Sequence, residues 1–250
     1  MPRSRRLLIL GGTGEARALA NALADRPDLE VTTSLAGRTV EPRRPRGEVR
    51  VGGFGGAAGL ADYIQAAGVD MVVDATHPYA AAISTHAIEA CRVANRPLLR
   101  FERPAWQSQK GDRWIVVDSL ATAAKAAPEI GHRAFLTIGV KELAAFAAAE
   151  KIWFLVRLVE PPSRPIPLPN FELVLGRGPF ALSDERELMG RHRIDLVIAK
   201  NSGGEATYAK IAAARGAGLP VLMLRRPPLP LAEIADSMAA ALAWIEERSG

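Results

Sequence analysis

Short apolar runs alternate with helix-patterned segments along nearly the whole chain, and most runs are closed by glycine or a small polar residue. That alternation demands a parallel sheet, because parallel neighbours need a long crossover, usually a helix, between them. In the first part the strand pattern falls at Leu7 to Leu10, Val31 to Ser34, Val49 to Val51, Met71 to Asp74 and Leu98 to Phe101. The segments "EARALANALA", "GAAGLADYIQAAG" and "AAAISTHAIEACRVA" lie between them as helices. The polar stretch "ERPAWQSQKGDR", with Pro104 and Gly111, reads as a seam between domains. Beyond it "WIVV", "AFLTIG", "IWFLVRLV", "LVIAK" and "VLML" are strands. "SLATAAKAA", "KELAAFAAAE", "ALSDERELMGRH" and "ATYAKIAAARG" separate them as helices, and a terminal helix is expected from about Leu231 to Glu247. The proline-rich segment from Pro161 to Asn170 is a loop, since repeated proline sustains neither a helix nor a central strand. At 250 residues the chain holds two such α/β halves with cores of their own. The halves echo each other: both "LLILGGTGEARALA" and "AFLTIGVKELAAFA" run strand, glycine turn, helix. Ligands of open α/β sheets bind at the carboxyl ends of the strands, so an interdomain cleft between two such edges is expected.

The formal net charge is +5 and the pI about 9.7, which favours an anionic partner. Basic runs such as Arg43, Arg44 and Arg46 come with prolines and lack interleaved aromatics, so no nucleic-acid partner is expected. Cys91 is the single cysteine, which leaves no disulfide framework and fits a reducing cytoplasm. The apolar run after Arg3, Arg5 and Arg6 is too short for a signal sequence, and no stretch reaches the length of a membrane span. The oligomeric state is not legible.

The turn "GGTGEAR" carries the strongest chemical signal. Glycines between a buried strand and a helix let backbone N–H groups approach a phosphate, and the helix N-terminus adds partial positive charge. Gly12 and Gly14 occupy the first two glycine positions of a dinucleotide turn, while Arg17 stands at the third, so Ala16 and Ala18 are expected to provide close helix packing. An NAD site places an acid at the end of the second strand, about 20 positions on. Here that end reads "SLAGR": Ser34 and Arg38 suit a 2′-phosphate, whereas Glu30 falls at the wrong end, so NADP is favoured over NAD. Arg38 can also serve as a solvated loop residue. In "VGGFGGAAGL", Gly52, Gly53, Gly55 and Gly56 surround Phe54 where the third strand yields to a helix; the loop can admit a flat ligand or simply move at the surface.

"DATHPYAAAIS" places Asp74, Thr76, His77, Tyr79 and Ser84 at or beyond the end of the fourth strand, with His77 a general acid, an anion ligand or a capping residue. His86, His132 and His192 form no zinc-site spacing, and no metal is expected.

Taken together, "GGTGEAR", "SLAGR", "GGFGGAAGL", "DATHPYAAAIS", "RFERPAW" and "AKNSGG" followed by "AAARGAGLPVLMLRRP" resemble the precorrin-6A reductase family of cobalamin biosynthesis. The match runs in order through nearly the whole chain. The resemblance implies two Rossmann-like domains, expected at residues 1–112 for NADP and 113–250 for part of the substrate site. It implies NADPH as cofactor and reduction of one double bond of a ring-contracted tetrapyrrole, precorrin-6A, to the dihydro product precorrin-6B. The expected cofactor contacts are Gly12, Thr13, Gly14, Glu15, Ser34, Gly37, Arg38, Gly53, Phe54 and Thr76. A flat ring fringed with carboxylates fits a basic protein, with Arg103, Lys141, Arg157 and Lys200 weighed as carboxylate partners or surface charges. His77, Ser84, Gly139, Asn201, Ser202 and Gly203 complete the expected substrate contacts, and His77 and Tyr79 are candidate proton donors beside solvent or a substrate carboxyl. The rivals are the cobalt-containing substrate of the anaerobic branch, a non-catalytic NADP sensor, and a short-chain reductase. The last would place a lysine four positions after a tyrosine, which Tyr63, Tyr79 and Tyr208 all lack.

Overall fold

A computed structural model describes residues 3–37 and 44–249. The chain divides into two compact units, the first formed by the residues up to Pro104 together with those from Pro227 onward, the second by Ala105–Arg226. In the first unit the strands are β1 (Arg5–Leu10), β2 (Leu29–Leu35), β3 (Glu48–Val51), β4 (Met71–Asp74) and β5 (Leu98–Phe101). The second unit holds β6 (Arg113–Val117), β7 (Arg133–Thr137), β8 (Trp153–Leu158), β9 (Phe171–Leu175), β10 (Leu196–Lys200) and β11 (Pro220–Leu224). The chain then returns to the first unit with β12 (Glu233–Ala235).

Both sheets have six strands, all parallel, in the orders β12-β5-β4-β1-β2-β3 and β6-β11-β10-β7-β8-β9. Each is the doubly wound 3-2-1-4-5-6 layout, with its switch point at β1/β4 in the first unit and β7/β10 in the second. The sixth position of each sheet is filled by the strand that follows the other sheet's fifth strand in sequence. This corrects the expected boundary at residue 112. Residues 105–112 group with the second unit, and the C-terminal segment belongs to the first because Glu233 pairs with Leu99 and Ala235 with Phe101.

β1 is buried along Leu7–Leu10 and shows how one strand serves two cores. Leu7 and Ile9 pack with Leu19 and Leu23 of α1 (Gly14–Leu23) and with Trp244 and Ile245 of α7 (Met238–Ser249). Leu8 and Leu10 point the other way, onto Leu60 and Ile64 of α2 (Ala57–Ala66) and Ala87 and Cys91 of α3 (Ala81–Ala94). The alternation follows from the pleat, and burial on both faces explains the unbroken apolar run.

Three expectations change. The terminal helix starts at Met238 rather than about Leu231, since β12 takes the preceding residues for pairing. "KELAAFAAAE" forms a 3-10 helix over Val140–Phe146 instead of a long α-helix. β9 is an additional edge strand, half exposed and directly after the proline loop. The remaining α-helices are α4 (Leu120–Ala126), α5 (Leu182–Arg191) and α6 (Ala209–Gly216), and a short 3-10 turn over Ala127–Glu129 follows α4.

At the amino end of the first sheet, Asp70 accepts from the Arg6 N–H at 2.9 Å and from Arg3 at 3.1 Å, with Arg5 and Arg96 at 4.0 and 3.9 Å. Burial pushes the Asp70 carboxyl up, but the Arg6 N–H, the Arg3 hydrogen bond and the neighbouring guanidinium charges outweigh it and hold the group below the usual carboxylate range. Among the described residues, no helix is long and apolar enough to cross a membrane.

Candidate active site

At the first switch point, β1 ends in a turn whose glycines have separate jobs. A side chain at Gly11 would press on Thr33 at 3.0 Å and Leu35 at 3.3 Å, so this glycine permits close packing on β2. Gly12 has φ +112°, a conformation L side chains rarely adopt, and a side chain at it or at Gly14 would have no neighbouring atom within 4 Å of its Cβ. Backbone is therefore presented to open space at the N-terminus of α1. Thr13 caps that helix, accepting from the Ala16 N–H at 3.0 Å and donating to the Ala75 carbonyl at 2.7 Å, which ties the turn to the end of β4. The close packing expected of Ala16 and Ala18 falls to Ala16 and Ala20, both buried, while Ala18 is exposed. Glu15 is held by Arg103 at 2.7 Å.

On the β2–β3 side, Ser34 is buried and its hydroxyl accepts from Arg50 at 3.1 Å. Arg50 also donates to the carbonyls of Gly52 and Gly53, each at 2.8 Å, and its guanidinium lies 3.8 Å from the centroid of the Phe54 ring. Phe54 in turn meets Tyr63 edge-on at 5.2 Å. Gly52, Gly55 and Gly56 all have positive φ, and a side chain at any of them or at Gly53 would meet open space. At Gly59 of α2 an added Cβ would collide with the Phe54 carbonyl, so the loop lies directly on that helix. Gly37, also at positive φ, sits against Val51. Arg38 lies outside the described residues. Arg50 is the residue sequence reasoning missed here; its signal was its place immediately before "VGGFGG".

Beyond β4, the buried Asp74 carboxylate accepts from the Thr76 N–H at 3.0 Å and its hydroxyl at 2.6 Å, so Thr76 shapes the turn. His77 Nδ1 accepts from the Tyr79 N–H at 3.2 Å, which places the proton of the neutral ring on Nε2, and the two rings lie 5.7 Å apart. Ser84 is buried on the inner side of α3. Burial, with Asp74 nearby, pushes the Cys91 thiol up to about 12, well away from nucleophilic use.

Of the cations expected in the second unit, Lys200 and Arg157 are already paired, while Lys141 is exposed. Lys200, ending β10, has its ammonium 2.6 Å from the Glu142 carboxylate, which also accepts from the Gly139 N–H at 2.8 Å. Arg157 forms a buried pair with Glu185 at 2.5 Å and lies over Phe180 and Phe135 at 4.0 and 4.7 Å. It clamps the core of this unit, with its charge matched by Glu185. The Asn201 carboxamide is used on the Trp106 backbone, accepting its N–H at 2.8 Å and donating to its carbonyl at 3.0 Å. Arg226 grips the carbonyls of Asn201 and Ser202 at 2.9 and 3.1 Å, and Gly203 turns the chain with φ +70°. The structure thus brings Gly139 and Lys200 together through Glu142, and gathers Asn201, Ser202 and Gly203 in one braced turn. Glu142 was legible only as an acid three residues after a glycine turn.

The comparisons with known proteins cover both units. Residues 6–246 match the family described as precorrin-6x reductase CbiJ/CobK. A precorrin-6A reductase of Rhodococcus erythropolis is 53% identical over 241 residues, covering 96% of this chain and 97% of that protein. A second, from Rhodobacter capsulatus, is 45% identical over 242 residues and covers 97% and 96% respectively. A solved structure of a CobK precorrin-6A reductase superposes with a TM-score of 0.92 at 45% identity, over 98% of this chain and 97% of that one. With one family spanning both sheets and the glycine turn at their head, the chain belongs to the precorrin-6x reductase CbiJ/CobK family.

Proposed function

We propose that this protein is an NADPH-dependent oxidoreductase that reduces one double bond of precorrin-6A, giving precorrin-6B in cobalamin biosynthesis. The observation that carries the reading is the open glycine turn at the first switch point, in a chain similar end to end to precorrin-6A reductases. The cobalt-free substrate is preferred because these relatives carry that name.

The residues present fit a nicotinamide dinucleotide. Gly12 and Gly14 leave open space where a side chain would stand, beside the helix N-terminus that favours a pyrophosphate. Ser34, Gly53 and Phe54, organised by Arg50, suit the adenosine end, and the Arg50 guanidinium beside the Ser34 hydroxyl favours a 2′-phosphate. When bound, the cofactor supplies the hydride. The protein's part is to position the ring system, compensate its carboxylates and deliver a proton. His77, whose neutral ring carries its proton on Nε2, and Tyr79 are the candidates for that proton. Lys200 is the candidate for a substrate carboxylate in the second unit, with Gly139, Asn201, Ser202 and Gly203 shaping the turn around it. We place the activity in the cytoplasm, where the one buried cysteine stays reduced.

The test is to mix the protein anaerobically with NADPH and cobalt-free precorrin-6A. Oxidation of NADPH with loss of the substrate chromophore supports the reading. Turnover of the cobalt complex alone assigns the protein to the anaerobic branch, and no turnover of either defeats the proposal.

A further inference from the structure

The first unit carries an open, shallow cavity of about 340 Å³ lined by Gly14, Glu15, Phe101, Arg103, Asp236 and Ser237, among others. It lies at the carboxyl ends of β5 and β12, beside the first turn of α1. The strand order puts β2 and β3 on one side of the glycine turn and β4, β5 and β12 on the other. The adenosine candidates Ser34, Gly53 and Phe54 all sit on the β2–β3 side. A dinucleotide with its pyrophosphate at the turn therefore carries its other half toward the cavity, which shares Gly14 and Glu15 with that turn.

The lining chooses between the two ligands. Two carboxylates, Glu15 and Asp236, stand against one guanidinium, and Arg103 is already held by Glu15 at 2.7 Å. Such a site repels the carboxylates of the macrocycle and suits a neutral or cationic ring. Phe101, Ala18 and Met238 offer apolar wall to a flat ring. Ser237 caps α7, its oxygen accepting from the Ala240 N–H at 3.3 Å while its own proton can be donated.

We propose that this cavity receives the nicotinamide half of the cofactor, with Asp236 accepting from the carboxamide NH₂ and Ser237 donating to the carboxamide oxygen. The inference rests on the cofactor reading above. It assigns a binding role to a segment that reaches the first unit only after the whole second unit has been traversed.

Calorimetric titration of wild type, Asp236→Asn and Ser237→Ala with NADPH, NADP⁺ and 2′,5′-ADP separates the possibilities. Both positions are exposed, so the variants are expected to fold, and melting curves verify it. Ser237→Ala is expected to weaken NADPH and NADP⁺ alike by roughly fivefold, and Asp236→Asn to weaken cationic NADP⁺ by roughly fivefold and more than NADPH. Binding of 2′,5′-ADP, which lacks the nicotinamide half, stays unchanged. Unchanged NADPH and NADP⁺ in both variants, or equal weakening of 2′,5′-ADP, overturns the assignment while wild-type NADPH binding leaves the cofactor reading standing. A wild type that binds neither NADPH nor 2′,5′-ADP overturns both.

Discussion

The Arg50 guanidinium lies 3.8 Å from the centroid of the Phe54 ring and holds the carbonyls of Gly52 and Gly53 at 2.8 Å. One side chain therefore gives shape to a loop whose glycines could otherwise take many conformations. Arg50→Met keeps most of the stem but removes the charge and the donors. It is expected to raise the dissociation constant for 2′,5′-ADP about tenfold, the scale of losing hydrogen bonds from a charged group. Arg50→Lys should not rescue it, because an ammonium cannot reproduce the planar fork. Unchanged 2′,5′-ADP binding by Arg50→Met in calorimetry would remove the loop from the site.

Gly12 and Gly11 separate conformation from packing. Gly12→Ala forces a side chain to φ +112° in open space, a strain of about 1–3 kcal/mol, and blocks approach to the backbone. NADPH binding should be lost or strongly reduced while the protein still melts cooperatively. Gly11→Ala meets Thr33 and Leu35 instead and should lower the melting temperature by more than it lowers affinity. Thermal melts and NADPH fluorescence titrations on both variants test this, and a Gly12→Ala protein with wild-type affinity would contradict it.

The sequence made this turn legible because two local signals agree there: an apolar run buried on both faces, and glycines at the strand end. β12 was illegible for the opposite reason. Its three residues sit in an apolar stretch with helical character, and their partner β5 lies on the far side of the second unit in sequence. Arg157 and Lys200 were correctly placed at strand ends, but no local pattern names Glu185 or Glu142 as their partners, since those contacts are made only when helix and strand pack. Arg50 looked like one more basic residue in a basic chain until β3 brought it beside Ser34.

Lys200 carries a substrate prediction that its partner sharpens. Glu142 already compensates the ammonium, so an incoming carboxylate competes with it. Lys200→Ala is expected to raise the Michaelis constant for the tetrapyrrole, and Glu142→Gln to lower it, with the NADPH dissociation constant staying within about twofold in both. Steady-state kinetics across a salt series checks the pair. Normal tetrapyrrole kinetics with impaired NADPH binding in Lys200→Ala would move this residue to the cofactor.

Asp70 predicts a pH-dependent stability at the end of the sheet remote from the glycine turn. Its carboxyl is held below the usual range in the fold, so its contribution is complete above the unfolded value of about 3.9 and is lost as pH falls toward the folded one. Asp70→Asn should therefore cost about 1–2 kcal/mol at neutral pH, with the gap to wild type closing below about pH 4. Denaturant melts across pH check the sign, and a gap that widens on acidification would contradict it.

We assign the glycine turn of the first unit to a reduction of precorrin-6A. Its most direct test is single-turnover mixing of the protein with precorrin-6A and NADPH labelled with deuterium at the transferable position, followed by mass analysis of the macrocycle. The account predicts one NADPH oxidised per macrocycle, with a product carrying one deuterium and one solvent-derived hydrogen. A folded protein that binds NADPH yet leaves precorrin-6A unlabelled would contradict it.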